Sequence, residues 1–130
     1  MKGAEEPWWI IGSVAVALQG GSPGRIRDVD VLLGHEDARR CFRQLNLVSD
    51  AATDDPLFHS DLFARWQDPP VAVELMAGLR IRSPSGWRAL RILSREKVRE
   101  DLFVPSRTEL REILICFGRE KDLKRAATLG

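Results

Sequence analysis

Residues 27–34 read RDVDVLLG, a run in which Asp28 and Asp30 interrupt Val29, Val31, Leu32 and Leu33. This stretch constrains the fold more than any other. Its period-two alternation predicts a strand, with Asp28, Asp30 and Leu32 on one face and Val29, Val31 and Leu33 on the other. The valine face belongs in a core. The aspartate face must meet water, a cation or a base, because an uncompensated buried carboxylate costs several kcal/mol. Two neighbouring carboxylates also raise one another's pKa. A divalent cation turns that proximity to use, and magnesium in particular takes one or two carboxylates together with water and phosphate oxygens.

A third acid stands in a similar setting. In VAVELMAG, Val71, Val73 and Leu75 share one face, and Ala72, Glu74 and Met76 the other. Glu74 is the lone charge at the centre of that strand. If the two strands are neighbours, Asp28, Asp30 and Glu74 converge, and such a cluster suits two metals serving an in-line displacement at phosphorus. Upstream, IIGSV sets Gly12 and Ser13 between a strand and a helix. Free backbone N–H groups at that junction favour anions, and glycine lets a phosphate come close to the backbone. Arg25 and Arg27 follow in the turn.

The remaining chain reads as strand, helix, strand, helix, three strands and then helices. PWWIIG is a buried strand, and SVAVALQGG a short helix with Ser13 as its cap, stopped by Gly20 and Gly21. HEDARRCFRQLN is an amphipathic helix burying Ala38, Cys41, Phe42 and Leu45. Residues 49–56 form a polar loop. FHSDLFARWQ and PVAVELMAGLRIRS are two strands separated by DPP, and WRALRI offers a shorter one. SREKVREDLF is expected to be a helix capped by Ser94. Another helix starts at Ser106, with Glu109 completing a capping box and Gly118 ending it. REKDLKRAATLG closes the chain as a last helix. This order predicts one α+β domain over 1–130, a mixed β-sheet with helices packed on it and C-terminal helices from about 94 to 130.

At 130 residues, 44% hydrophobic and 30% charged, the chain matches a soluble globular domain with one core. It has neither a membrane-spanning apolar run nor a signal-peptide start, so the cytoplasm is the expected compartment. Cys41 and Cys116 are expected as small core residues, and His35 and His59 lack companions at zinc-ligand spacing. Net charge is +1, but residues 1–79 hold 7 basic and 12 acidic side chains, and residues 80–130 hold 13 and 7. An acidic site faced by a basic half would attract phosphate, although solvated helix faces account for most of these charges.

The ordered set Ile11-Gly12-Ser13, Asp28-Val29-Asp30-Val31 and Glu74 between Val73 and Leu75 resembles the nucleotidyltransferase superfamily that shares the palm domain of DNA polymerase beta. Its spacing is most similar to the branch of aminoglycoside adenylyltransferases and abortive-infection (toxin–antitoxin) nucleotidyltransferases. FGREKDLKRAATL is similar to a C-terminal Gly-Arg-x-Lys-Asp helix of that branch. The chain departs from the branch pattern at Ser13, at Ile26 where an Arg-x-Thr element places threonine, in a turn about one residue longer, and in Glu74 where aspartate is common. The resemblance implies a polymerase beta palm-like fold and transfer of a nucleoside monophosphate from a nucleoside triphosphate, such as ATP, to a hydroxyl. It also implies Mg2+ or Mn2+ on Asp28, Asp30 and Glu74, with Gly12 and Ser13 cradling phosphates and Arg25, Arg27 and Lys121 balancing their charge. The acceptor is open between a small molecule, RNA and protein, and a homodimer or a protein partner is compatible with the chain. The alternative is a non-catalytic, antitoxin-like module of the same fold that binds a protein partner, which Trp8, Trp9, Trp66 and Trp87 could pack against, although the core is the expected home of most of them.

Overall fold

A computed structural model describes residues 3–50 and 55–130. Strand β1 (Trp9–Ile11) leads directly into helix α1 (Gly12–Leu18), and β2 (Asp28–Leu32) is followed by helix α2 (His35–Leu45). Then come β3 (Phe58–His59), β4 (Leu62–Trp66), β5 (Ala72–Ala77), β6 (Arg80–Ser83) and β7 (Gly86–Ala89). A hairpin of β8 (Glu96–Val98) and β9 (Leu102–Val104) precedes helices α3 (Arg107–Phe117) and α4 (Glu120–Ala127). The result is a mixed α+β architecture, as the alternation of strands and helices predicts.

The principal sheet has the order β1-β2-β5-β4. β2 and β5 run parallel, while β1 and β4 pair antiparallel with them at the edges. The two faces have opposite characters. Val31, Leu33, Ala64, Leu75 and Ala77 belong to the main core with Ala15 and Val16 of α1, Phe42 of α2 and Leu110, Ile113 and Leu114 of α3. The opposite face carries a smaller cluster of Ile11, Leu32, Met76 and Leu79, with Trp9 and Phe63 against it. The pleat of β2 therefore runs as its sequence dictates, valines inward to the core and aspartates on the thinly covered face.

Each of the two long strands expected over 58–67 and 70–83 is divided. β4 and β5 pair in the principal sheet, and β3 and β6 pair in a second sheet of order β3-β6-β7. The chain leaves one sheet for the other at Gly78, whose φ of +69° only glycine adopts at little cost. The Asp61 carboxylate packs over that glycine. It accepts from Arg80 at 2.6 Å and pairs with His35 at 2.9 Å, which holds the bend.

The helix expected over 94–103 is instead the β8–β9 hairpin. Arg99 and Glu100 take positive φ at its turn, and Phe103 stacks edge-on against Trp8 at 5.5 Å and beneath the Arg95 guanidinium at 3.5 Å. These tertiary contacts override the helix propensity of a Glu- and Lys-rich segment. The helical C-terminal part accordingly begins at Arg107. Ser106 does cap α3, accepting from the Glu109 N–H at 3.1 Å. The Glu109 carboxylate, however, takes the N–H groups of Leu93 and Ser94 at 2.8 and 2.7 Å, leaving the capping box half-formed. Ser13 lies inside α1, whose N-cap is Ile11, so it is no cap. Cys116 is exposed and Cys41 half-buried, so neither is a fully buried core residue. The polar loop expected over 49–56 lies partly outside the described residues.

Candidate metal centre and phosphate-binding cleft

The site is assembled by register. Ile11 pairs with Asp30, Asp30 with Glu74, and Glu74 with Arg65, so a single rung crosses all four strands of the principal sheet. Asp28 lies two residues from Asp30 along β2 and shares its face. One carboxylate oxygen from each of Asp28, Asp30 and Glu74 lies within 4.8 Å of the others. The sequence-predicted acids are therefore brought together.

Asp30 is the most deeply set of the three. Its carboxyl is pushed up from 3.8 to about 8, first by burial and then by the charge of Asp28 and by Glu74, which also accepts its hydrogen bond. Such a group holds its proton near neutrality until a cation arrives to replace it. The Arg65 guanidinium already compensates the other two. Its Nη1 donates to Glu74 Oε2 at 2.7 Å and stands 3.4 Å from Asp28 Oδ2, and these carboxylates hold its own pKa above the ordinary value, Glu74 foremost.

Gly12 abuts this cluster. It has a φ of +69°, and a Cβ built there would lie 2.7 Å from Asp30 Oδ2. Any side chain would collide with the aspartate and strain the backbone at once.

The acids form one wall of a cleft of about 740 Å³, whose lining also includes Gly12, Ser13, Arg25, Arg27, Arg119, Lys121, Lys124 and Arg125. All of the residues predicted for a site from the sequence thus border one space. The basic wall is built by α4 and the loop after α1. Arg125 donates to the carbonyls of Pro23 at 2.7 Å and Arg25 at 3.3 Å, and Thr128 Oγ1 accepts from the Ser22 N–H at 2.9 Å. Those bonds fasten the loop carrying Arg25 and Arg27 to the helix carrying Lys121. Hard oxygen donors in a close cluster, one of them a carboxyl holding a proton, fit a divalent cation such as magnesium or manganese.

Sequence reasoning missed two cations. Arg65 had a signal, since it is the lone charge of LFARW in a strand expected beside Glu74. Arg119 stood inside the GREKD motif. It grips the buried Asp122 with Nε and Nη2 at 2.6 and 3.0 Å and lies over the Phe58 ring at 4.9 Å. Its charge opposes, in smaller measure, the rise in Asp30.

No family model matches the chain, and no curated protein does. A crystal structure of a candidate nucleotidyltransferase from Thermotoga maritima is similar, with a TM-score of 0.73 at 23% identity, over 99% of this chain and 83% of that one. With the four-stranded mixed sheet and its helices, this likeness shows that the chain shares the fold of that structure.

Proposed function

We propose that the protein is a metal-dependent nucleotidyltransferase acting in the cytoplasm, which moves a nucleoside monophosphate from a nucleoside triphosphate, ATP among the candidates, to a hydroxyl acceptor. The observation that carries this reading is the convergence of Asp28, Asp30 and Glu74 within 4.8 Å on the wall of a cleft whose other wall is basic. Asp28, Asp30 and Glu74 would hold Mg2+ or Mn2+. Bound there, the metal supplies charge stabilisation to the phosphoryl oxygens and lowers the pKa of the attacking hydroxyl. Gly12 and Ser13 line the approach of the phosphates, and Arg25, Arg27 and Lys121 offset their negative charge. Glu74 would ligate the metal on the nucleophile side or accept the acceptor's proton. The protein's part is positioning and electrostatics, which can supply most of the rate in phosphoryl and nucleotidyl transfer.

The test is incubation with Mg2+, α-labelled nucleoside triphosphates and cell extract, comparing wild type with Asp30→Ala. Label transferred by the wild type and lost in the variant supports the reading, and equal transfer by both removes Asp30 from the mechanism. One observation favours a second reading, a non-catalytic module that binds a protein partner: Arg65 already neutralises Asp28 and Glu74. Calorimetry with Mg2+ and each triphosphate separates the two readings, since a partner-binding module would give no heat with any of them.

A further inference from the structure

The rung across the principal sheet ends in a cation to which the chemistry above gives no part. Arg65 lies opposite Glu74 on β4, the edge strand of the order β1-β2-β5-β4. Its guanidinium touches two of the three clustered carboxylates through a single nitrogen, Nη1. The side chain is 40% exposed. That exposure gives it room to swing out of the cluster into solvent.

We propose that Arg65 is a displaceable counter-ion of the three-acid cluster: it neutralises Asp28 and Glu74 in the metal-free protein, and its guanidinium must leave them before a divalent cation can be held by all three acids. The inference rests on the metal-centre reading above. Guanidinium and metal compete for the same oxygen lone pairs, and a cation left in place repels an incoming one. Arg65 therefore sets the metal affinity of the free protein and keeps Asp28 and Glu74 from repelling one another while no metal is bound. It is a positioning residue that acts through Asp28 and Glu74.

The opposite expectation belongs to a purely structural arginine. If Arg65 only oriented Glu74 and Asp28 for a metal, its loss would weaken metal binding. The sign of the change decides. The experiment is titration of the full chain with Mn2+ alone, without nucleotide or acceptor, followed by calorimetry and by the electron paramagnetic resonance of free Mn2+. Arg65→Gln should bind Mn2+ about two- to fivefold more tightly than wild type, the scale of one partly exposed ion pair removed from competition. Arg65→Lys, which keeps the charge but loses the planar fork, should fall between them. Metal-free Arg65→Gln should also melt below wild type, with the gap closing as Mn2+ is added.

Equal or weaker Mn2+ binding by a folded Arg65→Gln overturns the proposal. If that variant does not fold, Arg65→Lys decides by the same criterion. Binding by wild type that Asp28→Asn abolishes shows that the acids hold the metal, so a failure at Arg65 then falls on this inference alone. No Mn2+ binding by either wild type or Arg65→Gln would overturn the metal-centre reading together with it.

Discussion

Replacing Asp30 with asparagine should strengthen the metal-free protein and silence its response to metal. The Asp30 carboxyl is raised from 3.8 to about 8, chiefly by burial and then by Asp28 and Glu74. Because the folded value lies above the unfolded one, the native state keeps a proton that the unfolded chain has released. Stability therefore falls as pH rises from about 4 to about 8. At roughly 1.4 kcal/mol per pH unit, this cost amounts to a few kcal/mol at pH 7. Asparagine keeps the shape, keeps an N–H to offer Glu74 and carries no charge to desolvate, so it removes the cost. Urea unfolding in the presence of a chelator, from pH 4.5 to pH 8, is the assay. The variant should match wild type at the acid end and exceed it increasingly toward pH 8. Added Mn2+ at pH 8 should then raise the wild-type midpoint and leave that of Asp30→Asn where it was. A variant less stable than wild type throughout, or a difference that does not change with pH, would refute the reasoning.

Gly12→Ala should destabilise by about 1–3 kcal/mol, from left-handed backbone strain and the 2.7 Å approach of the new Cβ to Asp30 Oδ2. In an Asp30→Ala background the same change should cost less, which a double-mutant cycle by chemical denaturation checks. Asp37 is buried at the start of α2, where the N–H of Glu5 foremost, with that of Glu6 and the Arg40 guanidinium, holds its carboxyl below 3.8. Its contribution is fully present above about pH 4 and lost as pH falls through the lower folded value, so the urea-unfolding midpoint of Asp37→Asn should fall less steeply than that of wild type as pH drops below about 4. Arg119→Ala leaves the buried Asp122 without its bidentate partner and should cost about 1–3 kcal/mol in urea unfolding, while Arg119→Lys recovers only part. Native-state thiol titration should modify the exposed Cys116 quickly and Cys41 slowly, since burial also raises the Cys41 thiol pKa.

Elements that declare a face were legible in the sequence. β2 alternates apolar and acidic residues, β5 sets one acid in an apolar run, α2 repeats its apolar residues at helical spacing, and α3 carries both its serine cap and its glycine stop. What local pattern cannot express is where a strand changes sheets. Nothing within 70–83 distinguishes β5 from β6 except Gly78, and the bend there depends on Asp61, His35 and Arg80 arriving from elsewhere in the chain. The β8–β9 hairpin escaped for a related reason. Glu96, Lys97 and Glu100 favour a helix locally, whereas the hairpin is stabilised by Trp8, 95 positions before Phe103.

The site divides along the same line. An acid inside an apolar strand is conspicuous, so Asp28, Asp30 and Glu74 could be singled out one by one. Arg65 and Arg119 were harder to pick out, because arginines are common in a chain with 20 lysines and arginines. Only strand register separates Arg65 from the others, by setting it opposite Glu74. Gly12 shows how the structure can add a second reason for a residue singled out in the sequence. Close approach of a phosphate accounts for a glycine at the mouth of a cleft, but the structure supplies a demand that precedes any ligand. The space a Cβ would need is filled by Asp30 Oδ2, and the φ of +69° excludes a side chain independently. The glycine and the aspartate thus pack directly against each other, which ties the start of α1 to the acid cluster. A variant at either position must disturb the other, so a lost activity in Gly12→Ala cannot by itself be assigned to phosphate binding without the Asp30 double mutant beside it.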